Sequence, residues 1–166
     1  MKAWGAVAAA VVGVAALLGL ALGGGRKEVA KNMRETLLTR AAQHVGSVYG
    51  PADFDGFSSG MDWCGAFVLR VLHEVGLGGD LVWEIGKGFL YKLPQTKQPK
   101  PGDLVYFNRK QHHAILERIE GNDVHTIDGN QVGGQVLRRV RPLSEVGGFF
   151  SIENLIHTQP GDGDAA

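Results

Sequence analysis

After Asp103 the chain breaks into five short runs, "LVYFN", "HAILERI", "DVHTID", "QVLRRV" and "GFFSIE", separated by turn formers such as "EGND" and "DGNQ". Runs of this length, rich in β-branched and aromatic residues and bounded by Gly, Asn and Asp, read as strands. Upstream the period changes. Val29, Met33, Leu37, Ala41 and Val45 recur every four residues, which predicts a helix over 28–46 stopped by Gly46. Cys64, Phe67, Val68, Val71, Leu72 and Val75 predict a second helical face, with Arg70, His73 and Glu74 opposite and "GLGG" at 76–79 ending it. Helices followed by an antiparallel meander make an α+β fold. "GSVYGPADFDGFSSG" has the residues of an irregular loop, and "PQTKQPKPGD" reads as a proline-bearing entry to the sheet.

The ends stand apart from this core. Residues 3–25, "AWGAVAAAVVGVAALLGLALGGG", carry no charge and are long enough to cross a bilayer as a helix. The run is mostly Ala and Gly, which contribute little insertion energy, so it is a marginal span. It reads as a signal peptide, with "GLA" at 19–21 as a cleavage site, or as an uncleaved anchor. Arg26, Lys27, Lys31 and Arg34 come directly after it, and the positive-inside rule alone would keep the C-terminal part of the chain in the cytoplasm. The tail from 158 to 166 has turn formers and acids without an apolar repeat. Three parts are expected: a hydrophobic segment 1–25, a folded domain 26–157 and a flexible tail 158–166.

Charge and spacing exclude several functions. Lys plus Arg equals Asp plus Glu, 17 each, so a general polyanion binder is not expected, and Lys87, Lys92, Lys97 and Lys100 read as a solvated loop face. The six histidines lack HExxH or CxxC spacing, which gives no metal site. "GKG" at 86–88 follows no clear strand and supports no dinucleotide site.

The single cysteine, Cys64, cannot form a disulfide within the chain. It lies at the start of the second helix. There the dipole and free N–H groups favour thiolate, and the same N–H groups can receive an oxyanion. Asp62 stands where a helix cap would be. A thiol nucleophile needs a base, and the base an orienting partner. His112 opens one strand while Asp128 and Asn130 close the next, so an antiparallel hairpin brings them to one sheet edge. Alternation sends His113 to the opposite face from His112, and His125 away from Asp128, which makes both structural. Trp63, Tyr49 and Asp53 either line the cleft or pack.

The segments "DWCGAFV", "PGDLVYF" and "HHAILERIEGNDVHTIDGN" together resemble the CHAP family, the cysteine, histidine-dependent amidohydrolases and peptidases. The similarity spans most of residues 40–155. It implies a papain-like α+β domain, with Cys64 as nucleophile, His112 as base, and Asp128 and Asn130 as its orienting groups. Ala114 stands where the family has glycine, and Asp128 where glutamate is more usual. The implied activity is hydrolysis of a peptidoglycan amide through a cysteine thioester, as an N-acetylmuramoyl-L-alanine amidase or an endopeptidase, by a monomer without cofactor or metal. The N-terminal run, similar to the signal-arrest-release segments of phage endolysins, implies a domain tethered to the inner membrane or periplasmic. An inactive wall-binding or structural module of the same fold, and an acyltransferase or intracellular peptidase with the same triad, are the alternatives.

Overall fold

A computed structural model describes residues 25–54, 62–84 and 87–157. The expected hydrophobic run falls on residues outside these, apart from Gly25, as does the tail from 158. Among the described residues no helix is long and apolar enough to cross a membrane.

Helix α1 spans Gly25–Gln43 and α2 spans Cys64–Glu74. A two-residue strand β1 (Gln95–Thr96) precedes β2 (Leu104–Phe107), β3 (His112–Glu120), β4 (Asp123–Gln131), β5 (Gln135–Pro142) and β6 (Val146–Phe150), and a short α3 (Glu153–His157) closes the described chain. The described strands form one antiparallel sheet ordered β1-β6-β2-β3-β4-β5. Strands β2 to β5 are the expected meander. The last strand departs from it by crossing back to pair with β2 on the other side.

Alternation sorts the strands into two apolar faces. Leu104, Tyr106, Ile115 and Ile127 join the larger core with Leu37 and Ala41 of α1 and Phe67, Val68, Val71 and Leu72 of α2. Val105, Phe107, Ala114, Leu116 and Val124 form a separate cluster on the other face. Burying one such Leu, Ile or Phe stabilises the fold by roughly 1.5–3 kcal/mol relative to leaving it exposed.

Helix α1 corrects the expected range and face. It ends at Gln43, and its buried residues are Ala30, Arg34, Leu37 and Ala41, while Val29 is exposed. Met33, Leu37, Ala41 and Val45 of the expected series do pack in or against the core, and only Val29, at its start, falls off that face. Arg34 lies on the buried face of α1. It is buried, with its guanidinium 2.7 Å from Asp103 and 3.1 Å from Glu153, and it also donates to the Pro101 carbonyl. Asp103 accepts from the backbone N–H groups of Lys100 and Ile152 as well. The Pro-Gly-Asp turn, with Gly102 at φ 88°, thus ties α1 and the start of α3 to the entry of β2 and fixes the strand pair that carries the histidines.

Candidate active site

Cys64 is the first residue of α2 and is buried against the sheet. The capping residue, Trp63, makes no side-chain cap. Asp62 accepts a hydrogen bond from the Asn130 side chain at 2.8 Å. The expected cap by Asp62 is therefore corrected: its carboxylate is directed at the β4–β5 turn. Among the described residues no side-chain cap from Trp63 competes for the first N–H groups of α2, which an α-helix leaves without intrahelical partners.

The close approach of α2 to β4 depends on a glycine. A Cβ on Gly129 would lie 2.6 Å from Phe67 Cβ and 2.9 Å from Trp63 Cζ3. With no side chain there, Asp128 comes level with the start of α2. Asn130 comes next with φ 56°, a left-handed conformation that Asn tolerates, and a bulge in the β4–β5 pairing falls between Asp128 and Gln131.

Cys64 and His112 line one cavity of about 620 Å³, together with Asp62, Phe107, Asn130 and Arg141 among others. His112 Nε2 lies 2.7 Å from Asp128 Oδ2, and Asp128 is fully buried. That bond engages Nε2, on a ring that shares the cavity with the thiol. Burial opposes charge on both partners, but their mutual attraction prevails. Interaction with the neighbouring histidines, His112 foremost, brings the Cys64 thiol down to about 6 against the burial that raises it. The Asp128 bond and charge, together with Cys64, push His112 up to about 9. Between those values the pair is thiolate and imidazolium.

Asp128 holds more than the histidine. Its carboxylate lies 2.6 Å from Arg141 Nη2 and accepts from the Thr126 hydroxyl. Arg141 in turn covers the Phe107 ring at 4.5 Å. Burial opposes ionisation of this carboxyl, and the bonds to His112 and Arg141 hold it below the usual carboxylate range. The sequence reading misses both Thr126 and Arg141. A signal is present, since both alternate onto the face that carries Asp128 on paired strands.

Asn130 shares the cavity with His112. Its side-chain amide is used on Asp62, and the Gln131 amide instead lies 3.3 Å from His112 Nε2. Through that bond Asn130 joins the β4–β5 turn to the segment just before the nucleophile.

His113 also departs from expectation. It points to the face opposite His112, as alternation predicts, yet its Nδ1 is 3.4 Å from Cys64 Sγ. Trp63 packs, with its ring stacked on Phe54 at 5.1 Å and edge-on to Tyr49. Tyr49 is held by His44 at 2.8 Å, and Asp53 accepts from the Gly50 N–H. His125 pairs with Glu120 at 3.3 Å, outside the site.

No family model matches the chain, and no curated protein matches it. Among solved structures the chain is similar to the peptidoglycan hydrolase RipB of Mycobacterium tuberculosis, at 20% identity and a TM-score of 0.48, over 81% of this chain and 74% of that one. At that score the likeness bears neither on the fold nor on the chemistry of this chain, which rest on its own residues.

Proposed function

We propose that the chain is a cysteine-dependent hydrolase that cleaves an amide bond of peptidoglycan, as an N-acetylmuramoyl-L-alanine amidase or an endopeptidase. The observation that carries the chemistry is the juxtaposition of Cys64 and His112 on one open cavity, with His112 bonded to the buried Asp128. The choice of wall peptide rests on the resemblance of the Cys64, Pro101–Asp103 and His112–Asn130 segments to the CHAP family.

In this reading the Cys64 thiolate attacks the amide carbonyl carbon, and the carbonyl electron pair moves onto oxygen. The free N–H groups at the start of α2 receive that oxyanion. The tetrahedral intermediate then collapses, the C–N bond breaks, and His112 gives its proton to the leaving amine. The acyl group remains on Sγ as a thioester. Neutral His112 next takes a proton from water as it attacks the thioester, and the thiolate leaves with the ring again charged. Asp128 stabilises the imidazolium throughout. The domain would act outside the inner membrane, with run 3–25 as its signal or anchor.

The test is digestion of purified peptidoglycan by the full-length protein, with mass spectrometry of the fragments. New N-terminal alanine identifies an amidase, and new ends within the stem or cross-bridge identify an endopeptidase. Intact wall after treatment with protein whose Cys64 alkylates as an activated thiolate would overturn the substrate assignment.

A further inference from the structure

His113 has an environment that packing alone does not require. Its ring is buried, stacked on Phe89 with centroids 5.3 Å apart and edge-on to Tyr106 at the same distance. Gly65 leaves it room: a Cβ there would lie 3.3 Å from His113 Nδ1, Phe89 Cε1 and Trp83 Nε1 alike. The ring is thereby fixed with Nδ1 toward the sulfur at 3.4 Å, while Nε2 is buried without a hydrogen-bond partner among the described residues.

The tautomer is set by these contacts. A proton on Nε2 would be a buried N–H donor with no acceptor, which is costly, whereas a bare Nε2 lone pair leaves no donor stranded. A neutral ring carries one N–H, so it belongs on Nδ1, aimed at Cys64. No carboxylate among the described residues is bonded to His113, in contrast to His112 with Asp128.

We propose that His113 is a second catalytic histidine, a neutral ring that donates its Nδ1–H to the Cys64 thiolate. The sulfur is then held between two imidazoles with different duties. His112, on the open cavity and backed by Asp128, carries and transfers the proton. His113, enclosed and without an acid, keeps its proton and fixes the position and charge of the sulfur. This inference deepens the reading of Cys64 as nucleophile and rests on it.

Other groups also face the sulfur or its cavity. His112 approaches from β3, Tyr106 from β2 and Asp62 from the segment before α2, with Lys87 over the Tyr106 ring and Arg109, Arg139, Arg141 and Glu145 farther around the cavity. Each is retained when His113 alone is replaced, so a change in titration reports His113.

The test is the pH dependence of Cys64 alkylation by iodoacetamide in the full-length protein. His113→Phe keeps an aromatic ring and removes the donor. The alkylation midpoint should rise by about one pH unit, a tenfold loss of thiolate on the acid side. His113→Asn offers an amide N–H near the place of Nδ1–H and should restore most of that loss. An unchanged midpoint in folded His113→Phe, judged by circular dichroism, would reduce His113 to packing. Should that variant not fold, long-range ¹⁵N–¹H correlation on the unsubstituted protein decides: the Nδ1–H tautomer at neutral pH supports the proposal, and the Nε2–H tautomer overturns it. Wall digestion keeps this proposal separable from the hydrolase reading. Failure of the tautomer leaves hydrolysis intact, and failure of hydrolysis leaves the tautomer in place.

Discussion

Replacing Asp128 by Asn removes one negative charge at nearly constant volume, from a position where the carboxylate is 2.7 Å from His112 and 2.6 Å from Arg141. The rise of His112 from 6.5 to about 9 corresponds to about 3 kcal/mol of preference for the charged ring. Burial works against that preference, and the Asp128 bond is the largest contribution favouring it, ahead of the thiolate. Asp128→Asn should therefore lower the alkaline limb of kcat/KM from near pH 9 by at least about one pH unit. Turnover at the optimum should fall roughly a hundredfold or more, because the imidazolium loses the anion that stabilises and orients it. Stability also changes in a signed way. A histidine raised in the folded state contributes stability fully below 6.5 and loses it as pH rises through about 9. That loss should shrink in the variant, on top of a fall of about 3–5 kcal/mol for leaving Arg141 and His112 without their shared buried anion. The assays are a pH–rate profile on wall fragments and urea unfolding at several pH values. An alkaline limb that stays near 9, with turnover within twofold, would refute the reasoning.

The same contacts predict further outcomes. Cys64→Ser and His112→Ala should each abolish wall hydrolysis in folded protein, and the double variant should be little worse than either single, as for groups acting as one unit; fragment release measured side by side checks this. Asn130→Ala should reduce turnover far less than Asp128→Asn, because its amide bonds Asp62 and not the imidazole; equal losses in kcat would count against that assignment. Asp103→Asn breaks the buried bond to Arg34 and should cost about 3–5 kcal/mol of stability while leaving the alkylation midpoint of Cys64 in place, as read by urea unfolding and thiol titration. Glu74 is held down to about 2: burial opposes this, but bonds from His44, Arg40 and Arg70 outweigh it. The stability it contributes is present above 4.5 and lost as pH falls through about 2, so Glu74→Gln should flatten acid unfolding in that window.

Much of this architecture is legible in the residues. The strands β2 to β6 fall on the five apolar runs after Asp103, because period-two alternation and turn chemistry are local signals. The placement of Cys64 at the head of α2, and of His112 beside Asp128 at one sheet edge, comes from the order of the elements alone. The remainder depends on contacts that no local pattern encodes. Arg141 reaches Asp128 only through the β4–β5 register, which a bulge after Asp128 shifts. Asn130 has a left-handed backbone and donates its amide to Asp62, a long-range contact that strand order does not reveal. Alternation places His113 on the correct face and still misses its neighbour. The sulfur lies beside the first residues of β3, 3.4 Å from His113 Nδ1. The return of β6 to pair with β2 is a long-range choice, visible only once the sheet is assembled.

The central claim is that the Cys64 sulfur forms a covalent acyl intermediate with a wall amide. Full-length protein mixed with soluble peptidoglycan fragments and quenched in acid, then digested and mapped by mass spectrometry, tests it directly. The account predicts a wall-peptide acyl group on the Cys64-containing peptide during turnover, gone when substrate is exhausted, with no product from Cys64→Ala. Continued hydrolysis by Cys64→Ala, with no adduct on the unsubstituted protein, would contradict it.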